Sequence, residues 1–314
     1  MAQMFSKIRS VAETAGRPPA AIEIAPEGVL AAARPAARGR RGASEPAQGN
    51  VYAYVPLSPG AIVPSIEEPN LRASESVIAA IRSALDEISP RTRAVTVVLP
   101  DTLVRVFVLD FDSLPAKPSE AIPVVRFRLR KMVPFEVEHA GVSYQVLSQN
   151  ASEWKVLAAV VPGPILAEYE AAVRSAGYEP GAVLSSSLAA LESFESMEAV
   201  MAANLSAHSI TTTIATGQEL LLYRTLDLPQ DSAQRVAEIQ RSVAVASAYF
   251  EDKLGSRPRT LYYAGVQDAA EFAASIGDPD LSVVEWASRP EEGAMTALPQ
   301  VCFAGVAGAL AGAS

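Results

Sequence analysis

Four cationic side chains crowd into residues 126–131 of the sequence: Arg126, Arg128, Arg130 and Lys131. Guanidinium and ammonium groups hydrogen-bond carboxylates and phosphates strongly, and Arg can do so through two parallel bonds. Such a cluster can therefore bind an acidic partner or an anionic ligand. It can equally be the solvated face of a helix, because charged runs often serve only to keep a surface in water. Both interpretations stay open at this point.

The other side chains of catalysis and metal binding are scarce. Cys302 is the only cysteine among 314 residues, so the chain cannot form an internal disulfide or a Cys-based zinc site. The two histidines, His139 and His208, are far apart in the sequence, which argues against a histidine-rich metal site. We predict no metal site. A net charge of −9 also argues against general nucleic-acid binding, which depends on the neutralisation of phosphates.

No segment of the sequence has the features of a membrane span or a leader. The longest apolar run, residues 301–313, is too short and too rich in Gly and Ala to cross a bilayer. The N-terminus lacks the apolar stretch of a signal peptide. These features predict a cytoplasmic protein.

The basic cluster lies on a predicted helix. Ser119 is a suitable N-cap, Glu120 favours the positive end of the helix dipole, and Pro134 ends the segment. Apolar residues recur at three- and four-residue spacings, which gives the helix one buried stripe: Ile122, Val125, Leu129 and Met132. Strands are predicted on both sides, at residues 94–99, 104–109 and 142–147. Residues 95–147 are therefore predicted to form a unit of two strands, a helix and a strand.

Strands and helices alternate on either side of this unit. Residues 34–49 are predicted to be a flexible Arg-rich loop, because no pattern in them could bury a core. The other predicted strands are residues 21–24, 29–33, 51–55, 155–161, 204–215, 218–226, 260–264 and 283–286. The other predicted helices are residues 71–88, 165–176, 184–201, 232–254, 268–276 and 300–311. A hairpin followed by a helix thus occurs twice, once near the start of each half of the chain.

Five stretches carry a resemblance to a known family: residues 57–62, 98–101, 128–138, 142–147 and 304–310. In their order and spacing they resemble PilM-like proteins of type IV pilus assembly, which belong to the actin-like ATPase superfamily and are related to FtsA and GspL. The resemblance implies an α/β, actin-like two-lobed fold with a small α+β subdomain inserted in the first lobe and a shortened second lobe. The implied divisions are residues 1–94, 95–181 and 182–314, with the C-terminal helix returning to the first lobe.

The resemblance also implies a nucleotide site between two hairpin turns, but several of its residues are altered in this sequence. The matching positions hold Glu23, Asn204, Ser206, Ser209, Thr211 and Gly265. Ala25 and Pro26 replace a Gly and a backbone donor in the first turn, which adds a Cβ and removes an N–H. Asn204 lacks the charge that helps hold a magnesium-bound water. We therefore expect a non-functional site with no catalytic residue and no cofactor. The alternative is a nucleotide-dependent switch that binds ATP with magnesium.

The function implied by the resemblance is a non-catalytic cytoplasmic scaffold, peripheral to the inner membrane. It would bind the cytoplasmic tail of a PilN-like single-pass membrane protein, meet the membrane only through that partner, and form homo-oligomers. The residues predicted to meet the tail are Arg128, Arg130, Lys131 and Phe135. The alternative for Phe135 is packing in a core. A divisome protein closer to FtsA is a weaker match. The sequence leaves open whether the machine assembles pili or secretes proteins.

Overall fold

The computed structural model describes residues 17–34, 50–150, 153–194, 198–217, 219–286 and 302–312. Apart from Arg34, the predicted loop at residues 34–49 lies outside them. The strands are β1 (Ala20–Ala25), β2 (Gly28–Ala33), β3 (Val51–Pro56), β4 (Ala94–Leu99), β5 (Arg105–Phe111), β6 (Gly141–Gln149), β7 (Trp154–Val161), β8 (Glu179–Ser185), β9 (Ala199–Leu205), β10 (Ser209–Thr216), β11 (Glu219–Asp227), β12 (Thr260–Gly265) and β13 (Ser282–Glu285). The helices are α1 (Ser74–Ile88), α2 (Pro118–Leu129), α3 (Gly163–Ser175), α4 (Ser186–Leu191), α5 (Ser232–Leu254), α6 (Ala269–Ile276) and α7 (Ala304–Ala311).

Two sheets with the same strand order form two lobes. The first has the order β3-β2-β1-β4-β8, and the second has the order β11-β10-β9-β12-β13. In each sheet, three antiparallel strands come first, and two further strands then join in parallel. Parallel neighbours need a crossover connection, and α1 and α5 lie at the matching positions in the two lobes. The repeated order places the first hairpin of each lobe at a matching position.

Helices cover both faces of the first sheet. Every residue of β2 is buried, as expected for a strand of small and apolar residues that is covered on both sides. Helix α1 covers one face with an apolar stripe that includes the buried residues Val77, Ile81, Leu85 and Ile88. Helix α7 covers the other face, where Phe303, Val306 and Leu310 pack with residues of β1 and β2. A helix from the end of the described chain therefore completes the core of the first lobe.

Glycines allow α7 to approach its neighbours closely. A Cβ on Gly308 would overlap the backbone carbonyl of Ala189 in α4, and a Cβ on Gly305 would overlap the carboxylate of Glu23 in β1. Only glycine can occupy both positions without displacing a backbone or a buried side chain. The small-residue composition of α7 therefore serves its packing on the first lobe.

Helix α5 covers the second sheet and has the bounds predicted from the sequence. Asp231 caps its start by accepting the Gln234 N–H at 2.9 Å, and Gly255 ends it in the left-handed conformation with φ of 70°. The buried face carries Ile239, Ser242, Val243, Ala246 and Phe250. Both end signals and the apolar stripe are visible in the sequence, which is why the prediction is accurate here.

The third sheet, in the order β5-β7-β6, forms the inserted subdomain together with α2. One face of this sheet packs against α2, and the other face packs against α4 and the second lobe. The subdomain is narrower than the predicted residues 95–181, because β4 and β8 pair with each other inside the first sheet and α3 packs on α1. The sheet of the second lobe begins with β9.

The predicted helix at residues 184–201 is wrong. This stretch contains the end of β8, helix α4 and the start of β9. The Ala and Met residues of β9 favour helix in isolation, but β9 is a buried central strand that pairs with a neighbour on each side. Asn204 therefore lies near the end of β9 and does not begin a strand 204–215. Strand β8 has no predicted counterpart, because Pro180 argues against a strand everywhere except at a sheet edge, where β8 lies.

Candidate functional site between the two lobes

The first hairpin turns of the two lobes face each other across a cleft. Pro26 and Glu27 connect β1 to β2, and residues 206–208 connect β9 to β10. The Glu27 carboxylate accepts a hydrogen bond from the Ala207 N–H at 3.0 Å, so the first turn is bonded directly to the second. Arg235 of α5 holds the second turn from the other side by donating to the Ala207 carbonyl at 2.6 Å. The lobes are joined where the resemblance implies a clamp for phosphates.

The second turn satisfies its own N–H groups. The Ser206 hydroxyl oxygen accepts hydrogen bonds from the His208 N–H at 3.1 Å and from the Ser209 N–H at 2.9 Å. The Ala207 N–H donates to Glu27. An anion that entered this turn would have to displace these bonds, each of which contributes to the stability of the closed cleft.

The first turn is fixed by β3. Pro26 has no N–H to donate. The Glu27 carbonyl accepts hydrogen bonds from the Tyr54 hydroxyl at 2.6 Å and from the Leu57 N–H at 3.2 Å. The Tyr54 ring lies over Gly28 so closely that a Cβ at that position would overlap it. The ring that fixes the turn therefore also forms part of the cleft wall.

Asp101, which follows β4, is a buried carboxylate with donors from several elements. It accepts the N–H of Ser187 in α4 at 2.9 Å and the Ser187 hydroxyl. From the second lobe it accepts the Tyr223 hydroxyl at 2.9 Å and the Asn204 side-chain amide at 3.5 Å. Burial and the Asp101 charge raise the pKa of Tyr223 well above its ordinary value, so the phenol remains a donor. Asp101 therefore bonds the first lobe to the second.

Glu23 lies beside this network in β1 and is only 9% exposed. Burial raises the pKa of its carboxyl from 4.5 to about 8; the Ser186 hydroxyl opposes this shift, and the charges of Asp101 and Glu27 add to it. Its Oε2 atom is buried and has no hydrogen-bond partner among the described residues. Glu23 is therefore a neutral carboxyl at pH 7.

The cleft encloses a cavity of about 60 Å³, lined by residues of both lobes. Cys302 lines it, with Sγ 3.5 Å from the Asn204 side-chain oxygen. Burial raises the pKa of the Cys302 thiol to about 12, so this cysteine is a neutral thiol and a poor nucleophile.

Four of the six residues predicted for a nucleotide site line this cleft: Glu23, Asn204, Ser206 and Ser209. The other two are outside its lining. Thr211 is buried within β10, where its hydroxyl lies 3.0 Å from the Thr225 hydroxyl. Gly265 ends β12, and a Cβ there would overlap the Tyr263 hydroxyl and approach the Leu205 carbonyl. These two residues therefore serve the packing of the second lobe.

Helix α2 differs from its prediction at its start and on its buried face. It begins with Pro118 and has no side-chain cap, so Ser119 is inside the helix and is not its N-cap. The buried residues are Ala121, Val125 and Leu129, which follow one another at four-residue spacings. Met132 of the predicted stripe is 43% exposed, because the helix ends at Leu129 and the chain turns away.

Two members of the basic cluster have structural contacts. Arg126 donates to the carbonyls of Val137, Glu138 and Ala140, which fixes the loop after the helix. Arg130 forms an ion pair with Glu138.

The remaining residues predicted to bind the partner tail are one packed side chain and two exposed ones. Phe135 is half-buried and packs against the core of the subdomain, which is the alternative considered for it. Arg128 and Lys131 are exposed, and neither has a hydrogen bond or ion pair to a described residue. The solvated-face interpretation therefore fits only part of the cluster.

Several residues of the cleft and of the network around Asp101 have no sequence-based prediction as site residues: Glu27, Tyr54, Asp101, Ser187 and Tyr223. Asp101 alone has a usable signal. It follows a buried strand that pairs in parallel on both sides, and ligand-facing side chains collect at the carboxyl ends of such strands. The contacts of Glu27 and Tyr223 join residues from different lobes, and no local pattern predicts that.

Two absences can be stated for the part of the chain that the structure describes. No three His, Cys, Asp or Glu side chains are grouped so that they could hold a metal ion. None of the helices there combines the length and the apolar character needed to cross a bilayer.

Comparisons of the sequence find no match, whereas comparisons of the structure find clear matches. No family model matches the sequence, and no curated protein matches it. Among solved structures, the chain is similar to one described as the PilM-PilN type IV pilus biogenesis complex. The identity is 18%, the TM-score is 0.67, and the match covers 94% of this chain and 98% of the other. The predicted α/β, actin-like two-lobed fold and the resemblance to PilM are thereby confirmed at the level of the fold.

Two further solved structures are more distant. One is the cytoplasmic domain of EpsL, an inner membrane component of the type II secretion system of Vibrio cholerae, with 14% identity, coverage of 88% of this chain and 90% of the other, and a TM-score of 0.48. The other is a Bacteroides thetaiotaomicron protein with an actin-like ATPase fold and unknown function, with 12% identity, coverage of 86% and 91%, and a TM-score of 0.46.

Proposed function

We propose that this protein is a non-catalytic cytoplasmic scaffold of a type IV pilus machine or a related type II secretion machine. Its partner in this proposal is the cytoplasmic tail of a PilN-like single-pass inner-membrane protein. The observation that carries the proposal is the structural likeness to the PilM-PilN complex, which extends over 94% of this chain and includes the inserted subdomain. The protein would meet the membrane only through this partner.

The geometry of the cleft supports a scaffold without ATP. The N–H groups of the second turn are already bonded, one of them to the Glu27 carboxylate, which takes the place of an anionic ligand. Asn204 stands where the resemblance implies an Asp, and an amide lacks the charge that helps hold a magnesium-bound water. We infer that the residues present do not fit ATP with magnesium.

The free edge of β5 is the place where we propose that the tail binds. Strand β5 is at the edge of the three-strand sheet, and its sequence RVFVLDF is mostly apolar. An extended peptide can add to such an edge through backbone hydrogen bonds, with alternate side chains filling pockets. Helix α2 packs on one face of this sheet, so the backbone pairing at the β5 edge does not require Arg128 or Lys131.

Binding of the tail should be visible by hydrogen exchange. The probe is a synthetic peptide with the sequence of the cytoplasmic tail of a PilN-like single-pass membrane protein from the same organism. We expect amides of β5 to exchange at least about tenfold more slowly in the complex, because strand addition gives their free N–H groups partners. Strand β13 is the matched control, because it is also an edge strand and should not change. Absence of binding, or equal protection at both edges, would contradict the proposal.

Calorimetric titration with Mg-ATP separates the scaffold from a nucleotide-dependent switch. We expect no detectable heat from folded protein, which corresponds to a dissociation constant weaker than about 1 mM. Micromolar binding that is abolished by Glu23→Ala would instead favour the switch, with Glu23 in a metal-linked role. The same Glu23→Ala protein should keep its tail binding in either case.

A further inference from the structure

Helix α2 presents an exposed stripe that none of its neighbours covers. Val124, Phe127, Arg128 and Lys131 are separated by three, one and three residues, which places them on one side of the helix and its first following turn. Phe127 is 70% exposed, more than any other large apolar residue described, and Val124 is 37% exposed. We call these four residues the α2 stripe. A Phe in water at this level of exposure has no role in the packing of the subdomain.

Phe127 is the aromatic residue of the stripe. The Arg130 guanidinium lies over its ring, 5.9 Å from the ring centroid, and Arg130 also forms an ion pair with Glu138. Aromatic side chains that a partner can bury are enriched among binding hot spots, so Phe127 is the natural anchor of this surface.

The charges of the stripe define its partner. Arg128 and Lys131 have no anionic partner among the described residues, although the chain as a whole has a net charge of −9. An acidic partner would be repelled by most of the surface and attracted here, which favours one docking orientation. A helical stripe of this spacing pairs naturally with a second helix that repeats apolar residues at the same spacing.

We propose that the α2 stripe is a docking site for an acidic amphipathic helix of a partner protein. Phe127 and Val124 would contact the apolar stripe of that helix, and Arg128 and Lys131 would pair with its flanking carboxylates. The site is separate from the β5 edge, so it provides a second interaction surface. An anionic membrane is the less favoured occupant, because electrostatic attachment to lipids takes clusters of about four to eight cations and this stripe has two.

The test uses the full chain and two fluorescein-labelled helical peptides of about 18 residues. One has a Leu stripe flanked by Glu, and the other has the same Leu stripe flanked by Lys. We expect fluorescence anisotropy to show binding of the Glu peptide only. Phe127→Ser should weaken that binding by about tenfold or more. The control is Val245→Ser, which alters another exposed apolar residue, on α5, and should leave the affinity unchanged.

A second variant, in which the charges of the stripe are reversed, tests the proposal without altering Phe127. The double variant Arg128→Glu, Lys131→Glu should lose the Glu peptide and gain the Lys peptide, because attraction and repulsion are exchanged. Thermal unfolding should be unchanged in all variants, since the altered side chains are exposed. Failure of the Glu peptide to bind at about 1 mM would overturn the proposal. So would equal loss of binding in Phe127→Ser and Val245→Ser, or Phe127-dependent binding to phosphatidylserine vesicles without peptide binding.

Discussion

Replacement of Asp101 by Ala should lower the free energy of unfolding by about 3–5 kcal/mol. The carboxylate accepts hydrogen bonds from Ser187, Tyr223 and Asn204, all inside the protein. Its removal would leave these largely buried donors without their acceptor, and each unsatisfied donor adds to the loss. Because the donors belong to different lobes, the change should also weaken the connection between them.

Urea unfolding of the two proteins, followed by circular dichroism, measures this loss. The matched control is Asp110→Ala, since Asp110 is an exposed carboxylate on β5 that contributes little to stability. Asp101→Asn should fall between wild type and Asp101→Ala, because the amide keeps one acceptor oxygen but turns an NH₂ group toward the remaining donors. If Asp101→Ala were no less stable than Asp110→Ala, the network would not be what joins the lobes.

Replacement of Glu23 by Gln should stabilise the protein, and the gain should depend on pH. The pKa of Glu23 is raised from 4.5 to about 8 in the folded state, so the folded protein holds a proton that the unfolded chain releases. Stability is therefore lost as the pH rises from about 4.5 to 8, and the loss is complete above the folded pKa. Gln is neutral throughout, so its advantage should be near zero at pH 4 and about 3 kcal/mol at pH 7.

The comparison requires urea unfolding of both proteins at several pH values between 4 and 9. Other shifted groups, such as Glu192, whose pKa burial raises to about 7, are present in both proteins and cancel in the difference. The control is Glu87→Gln, which makes the same substitution at an exposed carboxyl of α1 and should change the stability little. A constant difference for Glu23→Gln, or a gain that shrinks as the pH rises, would show that Glu23 is ionised in the folded protein.

Local signals in the sequence are sufficient to predict helices such as α5 and α1. The bounds of α5 follow from a capping Asp, a terminal Gly and an apolar stripe, and all three are local features. The stripe of α1 is equally plain. Strands β8 and β9 are different, because their residues favour strand only when the rest of the sheet is present to pair with them.

The candidate site could be predicted only in part, for a related reason. The resemblance predicts a nucleotide site at the cleft, and four of its predicted residues do line it: Glu23, Asn204, Ser206 and Ser209. The bond from Glu27 to Ala207 and the donors around Asp101 join residues that are far apart in the sequence. A hydrogen-bond network between lobes has no periodicity, so it cannot be predicted from the hydrophobic pattern or the composition of the sequence.

The packing of α7 on the first lobe affects the order in which the protein can fold during synthesis. Residues 199–286 of the second lobe form one uninterrupted stretch and leave the ribosome before residues 304–311 do. The face of the first sheet that α7 covers therefore stays exposed until the second lobe has been translated. A nascent chain paused before residue 304 would hold a finished second lobe beside a first lobe with one bare apolar face, which is a natural binding target for a chaperone.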